Sequence, residues 1–292
     1  MDLQQELFSE DRSVDVVIAS FAHTPDPRLR RIMVSLVEHL HGFIKDVELT
    51  EDEWAEAIRF LTRTGQMCSA TRQEFILLSD VLGASMLVET LNNRGDGVLT
   101  ESTVEGPFHM VDSPDRELGA TISGGLEGDP CLVTGSVTDA DGRPVPGAKV
   151  DVWQANAHGF YDVQQPGLDL AENLRGLFTV DGEGRFWFRT IVPRYYPIPD
   201  DGTVGLLLRA TGRHPNRPAH IHFEISAPGM RTVTTHLFVE GTPYLESDAV
   251  FGVKESLVRK FEEVDDPGRA RELGLGNPFR TVAFDVVLKR ED

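Results

Sequence analysis

The first third of the chain places apolar residues at three- and four-residue steps, a spacing typical of amphipathic helices. The steps are clearest at Leu29, Ile32, Met33, Leu36, Val37, Leu40, Phe43 and Ile44. Residues 50–53 and 71–74 read Thr-Glu-Asp-Glu and Thr-Arg-Gln-Glu, and both match the capping box that opens a helix. The pattern therefore predicts one helix ending at about residue 46, a second beginning near residue 50, and a third from residue 71 to 91.

From about residue 100 onward, turns rich in Gly and Pro separate short runs of apolar residues. Strands are predicted at residues 131–137, 148–154, 186–190, 204–210, 219–226, 233–239 and 282–288, and a short helix at about 252–263. Many short strands bounded by turns are typical of a β-sandwich. We therefore predict an α+β chain, with a helical domain over residues 1–103 followed by a mainly antiparallel β-sandwich domain over residues 104–292.

The chain is strongly acidic, with 47 Asp and Glu residues against 28 Lys and Arg residues and a formal net charge of −19. This charge argues against binding to nucleic acids or anionic lipid surfaces, which both require basic patches. Cys68 and Cys131 are far apart and indicate neither a disulfide framework nor a metal site. No secretory signal or membrane-spanning run is present in the sequence, so we predict a cytoplasmic location.

Two histidines alternate with apolar residues in the predicted strand 219–226. His220 and His222 share one face of this strand, while Ile221 and Phe223 share the other face. Neighbouring imidazoles can bind a metal ion, although two polar residues on a solvated face give the same pattern.

The four tyrosines Tyr161, Tyr195, Tyr196 and Tyr244 are candidates for further ligands. Zinc prefers His, Cys and carboxylate ligands, whereas phenolates suit a hard, highly charged ion such as ferric iron. A free phenol has a pKa near ~10, so it needs a strong Lewis acid to ionise at neutral pH. An ordinary half-buried aromatic remains the alternative for each single tyrosine.

Several segments resemble the intradiol ring-cleavage dioxygenases, and within them the hydroxyquinol 1,2-dioxygenase branch. The resemblance is carried by residues 104–109, 141–148, 152–156, 159–162, 196–199 and 212–222. The last segment, Gly-Arg-His-Pro-Asn-Arg-Pro-Ala-His-Ile-His, is highly specific. The turn at residues 141–148 is not, because many β-sandwich modules share it.

The resemblance implies a non-haem ferric enzyme that opens aromatic diols between their hydroxyls, with one Fe(III) per subunit. Its implied ligands are Tyr161, Tyr196, His220 and His222. Tyr195 competes with Tyr196, but Tyr196 directly precedes the Pro-Ile-Pro segment that follows the family's ligand. Tyr196 is also implied to take up a substrate proton, and Arg217 to stabilise negative charge on the ring.

The family's substrate pocket is carried over onto Leu77, Asp80, Val104, Gly106, Pro107, Ile198, Pro199, Arg217, His236 and Val250. A carboxylate at Asp80 can accept a hydrogen bond from a third ring hydroxyl, which favours hydroxyquinol. His236, where catechol-cleaving relatives often carry glutamine, favours the same branch. Glu105 is more typical of the catechol enzymes.

The predicted function is cleavage of hydroxyquinol (1,2,4-trihydroxybenzene) with O2 to 3-hydroxy-cis,cis-muconate (maleylacetate), in aromatic catabolism. The alternatives are a catechol or chlorocatechol 1,2-dioxygenase that gives cis,cis-muconates, a β-sandwich binding module without catalytic metal, and a zinc hydrolase. The resemblance also implies that the N-terminal helices link a homodimer and can hold a phospholipid.

Overall fold

The computed structural model describes residues 7–69, 72–94, 97–106, 108–110, 113–165 and 173–291. The chain divides into two compact units, Met1–Arg63 and Thr64–Asp292. The domain boundary predicted between residues 103 and 104 stays a prediction. Among the described residues, no helix combines the length and the apolar character needed to span a bilayer.

The first unit contains α1 (Ser13–Ala19), α2 (Pro27–Asp46) and most of α3 (Glu51–Gln66). Pro27 opens α2, and the Asp26 side chain accepts a hydrogen bond from the Arg28 amide at 2.8 Å. Thr50 and Glu53 form a reciprocal capping box before α3, with bonds of 2.9 and 3.3 Å between backbone amides and side chains. Both helix starts could be predicted because their caps are local in sequence.

The second unit contains α4 (Glu74–Val81), α5 (Ala84–Asn92), α6 (Thr203–Ala210) and α7 (Pro267–Leu273). The single helix predicted over residues 71–91 is wrong, because Gly83, at a φ of 73°, separates α4 from α5.

The strand predicted at residues 204–210 is also wrong, since these residues lie in α6. The start of α6 is capped by the buried carboxylate of Glu74, which accepts hydrogen bonds from the Val204 amide at 3.1 Å and from Thr203 Oγ1 at 3.3 Å. This cap comes from a distant part of the chain, so the local pattern could not reveal it.

The strands lie between residues 115 and 288. They are β1 (Asp115–Arg116), β2 (Pro130–Asp139), β3 (Lys149–Gln154), β4 (Arg175–Thr179), β5 (Arg185–Ile191), β6 (Tyr196–Pro197), β7 (Asn216–Arg217), β8 (His220–Ser226), β9 (Val233–Val239), β10 (Val258–Arg259), β11 (Glu262–Val264), β12 (Phe279–Ala283) and β13 (Val286–Leu288). One sheet has the order β1-β4-β3-β8-β9-β10. The other has the order β11-β12-β2-β13, with β5 paired to β2, and β6 pairs with β7 apart from both.

Most strand pairs are antiparallel, which confirms the predicted β-sandwich, but β1–β4, β9–β10, β2–β12 and β2–β13 are parallel. The short helix predicted at about 252–263 is wrong. There, Glu255–Leu257 form one 3₁₀ turn, and the following residues join the sheets as β10 and β11. Pairing between strands decides their conformation, and the sequence pattern does not contain that information.

The core of the sandwich lies between the two sheets. Val152, Ile221 and Phe223 of the first sheet pack there with Phe186 and Phe188 of the second. Because strand side chains alternate, the intervening residues of β3 and β8 lie on the opposite face of the first sheet. That outer face carries the histidine pair.

Candidate active site

Four buried side chains form a row across the outer face of the first sheet. Arg175 on β4 lies opposite Trp153 on β3, Trp153 opposite His222 on β8, and His222 opposite His236 on β9. Each of the four is at most 1% exposed. The Trp153 and His222 rings stack with centroids 4.7 Å apart, and the His236 ring lies 4.3 Å beyond His222. The strand register therefore fixes the position of His222.

The two histidines present their ring nitrogens to each other, with Nε2 atoms 3.0 Å apart. His220 Nδ1 donates to the Pro218 carbonyl at 2.7 Å, which leaves its Nε2 lone pair free for a metal. Burial, aided by nearby positive charge, lowers the pKa of both rings well below the usual range. Both imidazoles are therefore neutral at pH 7, the form that binds metals.

Two phenols complete the cluster. The Tyr161 hydroxyl lies 3.0 Å from His222 Nε2, and the Tyr161 and Tyr196 rings meet edge to face at 5.1 Å. Burial, and then the neighbouring Tyr196, raise the pKa of Tyr161 well above its ordinary value. Tyr195 instead packs on Tyr244 at 5.1 Å, so the structure places Tyr196 and not Tyr195 in the cluster.

This donor set fits a ferric ion. Two neutral imidazoles offer lone pairs, and phenolate oxygens are hard ligands that suit a strong, highly charged cation. A second set is available, because ligand atoms of His220, His222 and His236 lie within 4.8 Å of one another. His236 Nδ1 is hydrogen-bonded to Thr103 Oγ1, and its Nε2 has no hydrogen-bond partner within the described ranges.

Arg217 enters the site from β7, whose pairing with β6 sets it opposite Tyr196. Its Nη1 lies 3.4 Å from both the Tyr196 hydroxyl and His220 Nε2. Asp248 holds the other side of the guanidinium, with Nε to Oδ1 at 3.2 Å and Nη2 to Oδ2 at 3.4 Å. The same carboxylate accepts the Gly252 amide at 2.9 Å.

Sequence reasoning missed Asp248. It lies 31 residues after Arg217, and nothing in its local sequence distinguishes it from an aspartate in an ordinary turn. Its burial beside a buried arginine is visible only in the fold.

A cavity of about 1230 Å³ opens beside the cluster. Three of its lining residues contact the rings. Phe108 stacks on Tyr161 at 4.6 Å, and Thr103 bonds His236. Gly106 has a φ of 81°, and a Cβ added there would lie 3.1 Å from His222 Cε1. Glycine is therefore required at this position, because the positive φ disfavours other residues and because a Cβ would crowd the His222 ring.

The predicted pocket residues fall into three groups. The cavity is lined by Leu77, Asp80, Val104, Gly106 and Pro199. The buried residues Ile198, Arg217, His236 and Val250 are not among its lining residues in the described part of the chain. Pro107 lies outside the described residues. Burial raises the pKa of the Asp80 carboxyl, and its bond with Ser85 partly opposes that shift.

His109 was not predicted as a site residue, although it lines the cavity. Its Nδ1 lies 2.5 Å from Glu105 Oε1, and its Nε2 lies 3.4 Å from Asp151 Oδ2. Hydrogen bonds to Asp151 and then Glu105 raise the pKa of His109 to about 10. Glu224 shares this group and could help to hold a cation, but the protonated ring of His109 has no lone pair to offer a metal.

Comparison with known families places the chain among the dioxygenases. A family described as "Dioxygenase" matches residues 104–290, and one described as "Catechol dioxygenase N terminus" matches residues 26–98. The chain belongs to the intradiol ring-cleavage dioxygenases, a family that depends on non-haem iron.

The similar proteins cover almost the full chain. A hydroxyquinol 1,2-dioxygenase of Rhizobium sp. strain MTP-10005 is 54% identical, over 97% of this chain and 96% of that protein. A 6-chlorohydroxyquinol 1,2-dioxygenase of Cupriavidus pinatubonensis is 55% identical, over 86% and 91%. The crystal structure of a hydroxyquinol 1,2-dioxygenase from Pseudomonas putida DLL-E4 superposes with a TM-score of 0.89 at 48% identity, covering 97% and 99% of the two chains.

Proposed function

We propose that the protein is a ferric intradiol dioxygenase that cleaves hydroxyquinol with O2 to 3-hydroxy-cis,cis-muconate. The observation that carries the proposal is the convergence of His220 Nε2, His222 Nε2 and the Tyr161 hydroxyl, with neighbouring atoms 3.0 Å apart, beside a large cavity. The activities for which the similar proteins are named support hydroxyquinol as the substrate. A role in aromatic catabolism and the predicted cytoplasmic location are part of the proposal.

One Fe(III) per subunit would be held by Tyr161, Tyr196, His220 and His222. When bound, the ferric ion supplies a strong Lewis acid that withdraws electron density from the diol, so that the ring reacts with O2. His220 keeps its Nε2 directed to the metal through its bond to the Pro218 carbonyl. His236, whose Nδ1 is hydrogen-bonded to Thr103, is not assigned to the metal.

The protein groups around the diol move protons and balance charge. The Tyr196 phenolate oxygen takes up a substrate proton as the diol binds. Arg217, positioned 3.4 Å from that oxygen and kept charged by Asp248, stabilises negative charge that develops on the ring. The buried setting strengthens this interaction because water screens it little.

Asp80 carries the preference for a third hydroxyl. Its carboxyl is buried in the cavity wall, where a polar group left without a partner is costly. Ser85 gives this carboxyl one hydrogen bond, and the third hydroxyl of hydroxyquinol would supply another, whereas catechol would not. Catechol or a chlorocatechol is the alternative substrate.

The test is oxygen uptake with hydroxyquinol and catechol side by side, together with the iron content and the ring-opened product. We expect stoichiometric iron, a visible phenolate-to-iron absorption band, and a higher kcat/KM for hydroxyquinol. A higher kcat/KM for catechol would overturn the substrate assignment. Iron-free protein that consumes no oxygen with either diol would instead favour a binding module.

We further propose that the N-terminal helices join two subunits. Helix α2 carries an exposed apolar stripe, formed by Leu29, Ile32, Leu36, Leu40 and Phe43. These residues recur at helical spacing and are each roughly half exposed, so a second copy could bury them. A phospholipid chain is a further occupant for such a surface.

A further inference from the structure

A second buried arginine–aspartate pair joins β4 to the loop after β3. Arg175 Nε donates to Asp162 Oδ2 at 2.6 Å, and its Nη2 donates to Asp162 Oδ1 at 2.5 Å. The two side chains are 1% and 4% exposed. A buried pair of this kind is stable only with good two-point geometry, which this pair has.

Asp162 directly follows Tyr161 and opens a 3₁₀ turn, Asp162–Gln164. In the same turn, the Gln164 side chain accepts a hydrogen bond from the Tyr161 amide at 2.9 Å. Two side-chain contacts therefore hold the backbone near the phenol: the pair of Asp162 with Arg175 and the bond between the Tyr161 amide and Gln164.

The same guanidinium also holds a second segment against the phenol. Arg175 Nη2 donates to the Phe108 carbonyl at 3.3 Å, and the Phe108 ring stacks on Tyr161 at 4.6 Å. Arg175 thus anchors both Asp162, which follows Tyr161 in the chain, and Phe108, whose ring stacks on Tyr161.

Arg175 is itself fixed by the sheet. It pairs with Trp153 across β4 and β3, and Trp153 stacks on His222. The Tyr161 phenol lies on a loop, whereas His222 lies on a strand. Arg175 thus connects the loop with the row of strand residues.

We propose that Arg175, clamped on Asp162, is a positioning residue for the metal site and fixes the Tyr161 oxygen beside His222 Nε2. The inference rests on the proposed function, which makes Tyr161 a ligand.

The test uses two variants of the full chain. Arg175→Lys keeps the charge but cannot make the two-point contact with Asp162. The double variant Arg175→Gln with Asp162→Asn keeps side-chain volume close to the original and removes both charges. Arg185→Gln is the matched control, because Arg185 pairs with Asp181 on the exposed surface.

Three readouts besides turnover are measured: the iron dissociation constant by chelator competition, the wavelength of the visible band, and folding by circular dichroism. We expect both variants to bind iron about 10- to 100-fold more weakly, the usual effect of losing a partner that orients a ligand. The wavelength of the visible band should change in both variants, because the phenolate oxygen is no longer held in one position beside His222 Nε2. Arg185→Gln should match the wild type.

Folded Arg175→Lys with wild-type iron affinity would overturn the inference, whatever happens to the fold of the double variant. A wild-type protein without iron and without a visible band would overturn the proposed function, and this inference with it. Coloured, active wild type with unaffected variants would overturn the inference alone.

Discussion

At the scale of single residues, burial gives ordinary side chains unusual chemistry. Tyr161 and Tyr196 are both about 1% exposed or less, and their hydroxyls lie among imidazoles and a guanidinium instead of water. Tyr195, one position away from Tyr196, instead packs on Tyr244, with the Arg194 guanidinium over its ring. This contrast gives a matched pair of substitutions.

Tyr161→Phe removes the oxygen that lies 3.0 Å from His222 Nε2. We expect most of the visible band to disappear and kcat to fall by at least about 100-fold, because a ligand is lost outright. Absorption spectra and oxygen-electrode assays measure both. Tyr195→Phe should leave colour and rate unchanged, and a Tyr161→Phe enzyme with full colour and turnover would contradict the ligand assignment.

His236→Gln separates the two possible donor sets. If Tyr161, Tyr196, His220 and His222 hold the metal, the variant keeps its iron, while the ratio of kcat/KM for hydroxyquinol to that for catechol falls. Iron analysis and paired kinetics measure these effects. Loss of iron from His236→Gln would show that the three histidines form the metal site.

Asp248→Asn leaves the buried Arg217 guanidinium without its counter-charge. Breaking one side of a buried ion pair costs roughly 3–5 kcal/mol, so the free energy of unfolding should fall by about that much. Denaturant titration of the iron-loaded protein measures it. Glu262→Gln, which breaks the exposed pair with Lys260, should cost less than about 1 kcal/mol, and an equal loss in both variants would refute the argument.

At the scale of elements, the sequence predicts what is encoded locally. The caps at Asp26 and Thr50, and the alternation of His220 and His222 with Ile221 and Phe223, are all legible from short segments. Helix α6 is not, since Glu74 caps it from a remote position, and β10 exists only through its pairing with β9.

The site shows the same contrast between residues that the local sequence reveals and residues that it does not. The residues brought together at the cluster could be proposed from motifs, but their partners could not. Asp248, His109 and the pair of Arg175 with Asp162 are defined by neighbours distant in the chain. Their local sequences carry no sign of burial, which only the packed structure supplies.

His109 links the loop that carries Val104 and Gly106 to strand β3, and this link should depend on pH. Its pKa is raised from the ordinary 6.5 to about 10, so its contribution to stability is complete below pH 6.5 and is lost as the pH rises towards 10. His109→Gln should therefore be less stable than the wild type at pH 6, and the difference should shrink by pH 10.

Denaturant unfolding at a series of pH values between 6 and 10 measures this difference. His39→Gln, on the exposed surface of α2, is the control and should give a curve parallel to that of the wild type. A constant difference between His109→Gln and wild type across the range would refute the charged link.

At the scale of the whole molecule, the proposed dimer depends on the apolar stripe of α2. Leu36→Glu combined with Leu40→Glu places two charges in that stripe, and we expect the variant to be a monomer. Light scattering after size exclusion gives the mass directly. Glu38→Lys, a charge reversal at a polar position of the same helix, should remain dimeric, and a monomeric wild type would contradict the proposal.

The row of Arg175, Trp153, His222 and His236 has a consequence for how the chain folds. Because β8 presents imidazoles on one face and core residues on the other, sliding it by one position against β3 and β9 would turn both histidines into the sandwich interior. A mispaired sheet would then lack the imidazole pair. Under the proposed function, only a correctly paired chain would bind the ion, so the colour recovered during refolding would report the fraction of molecules that paired correctly.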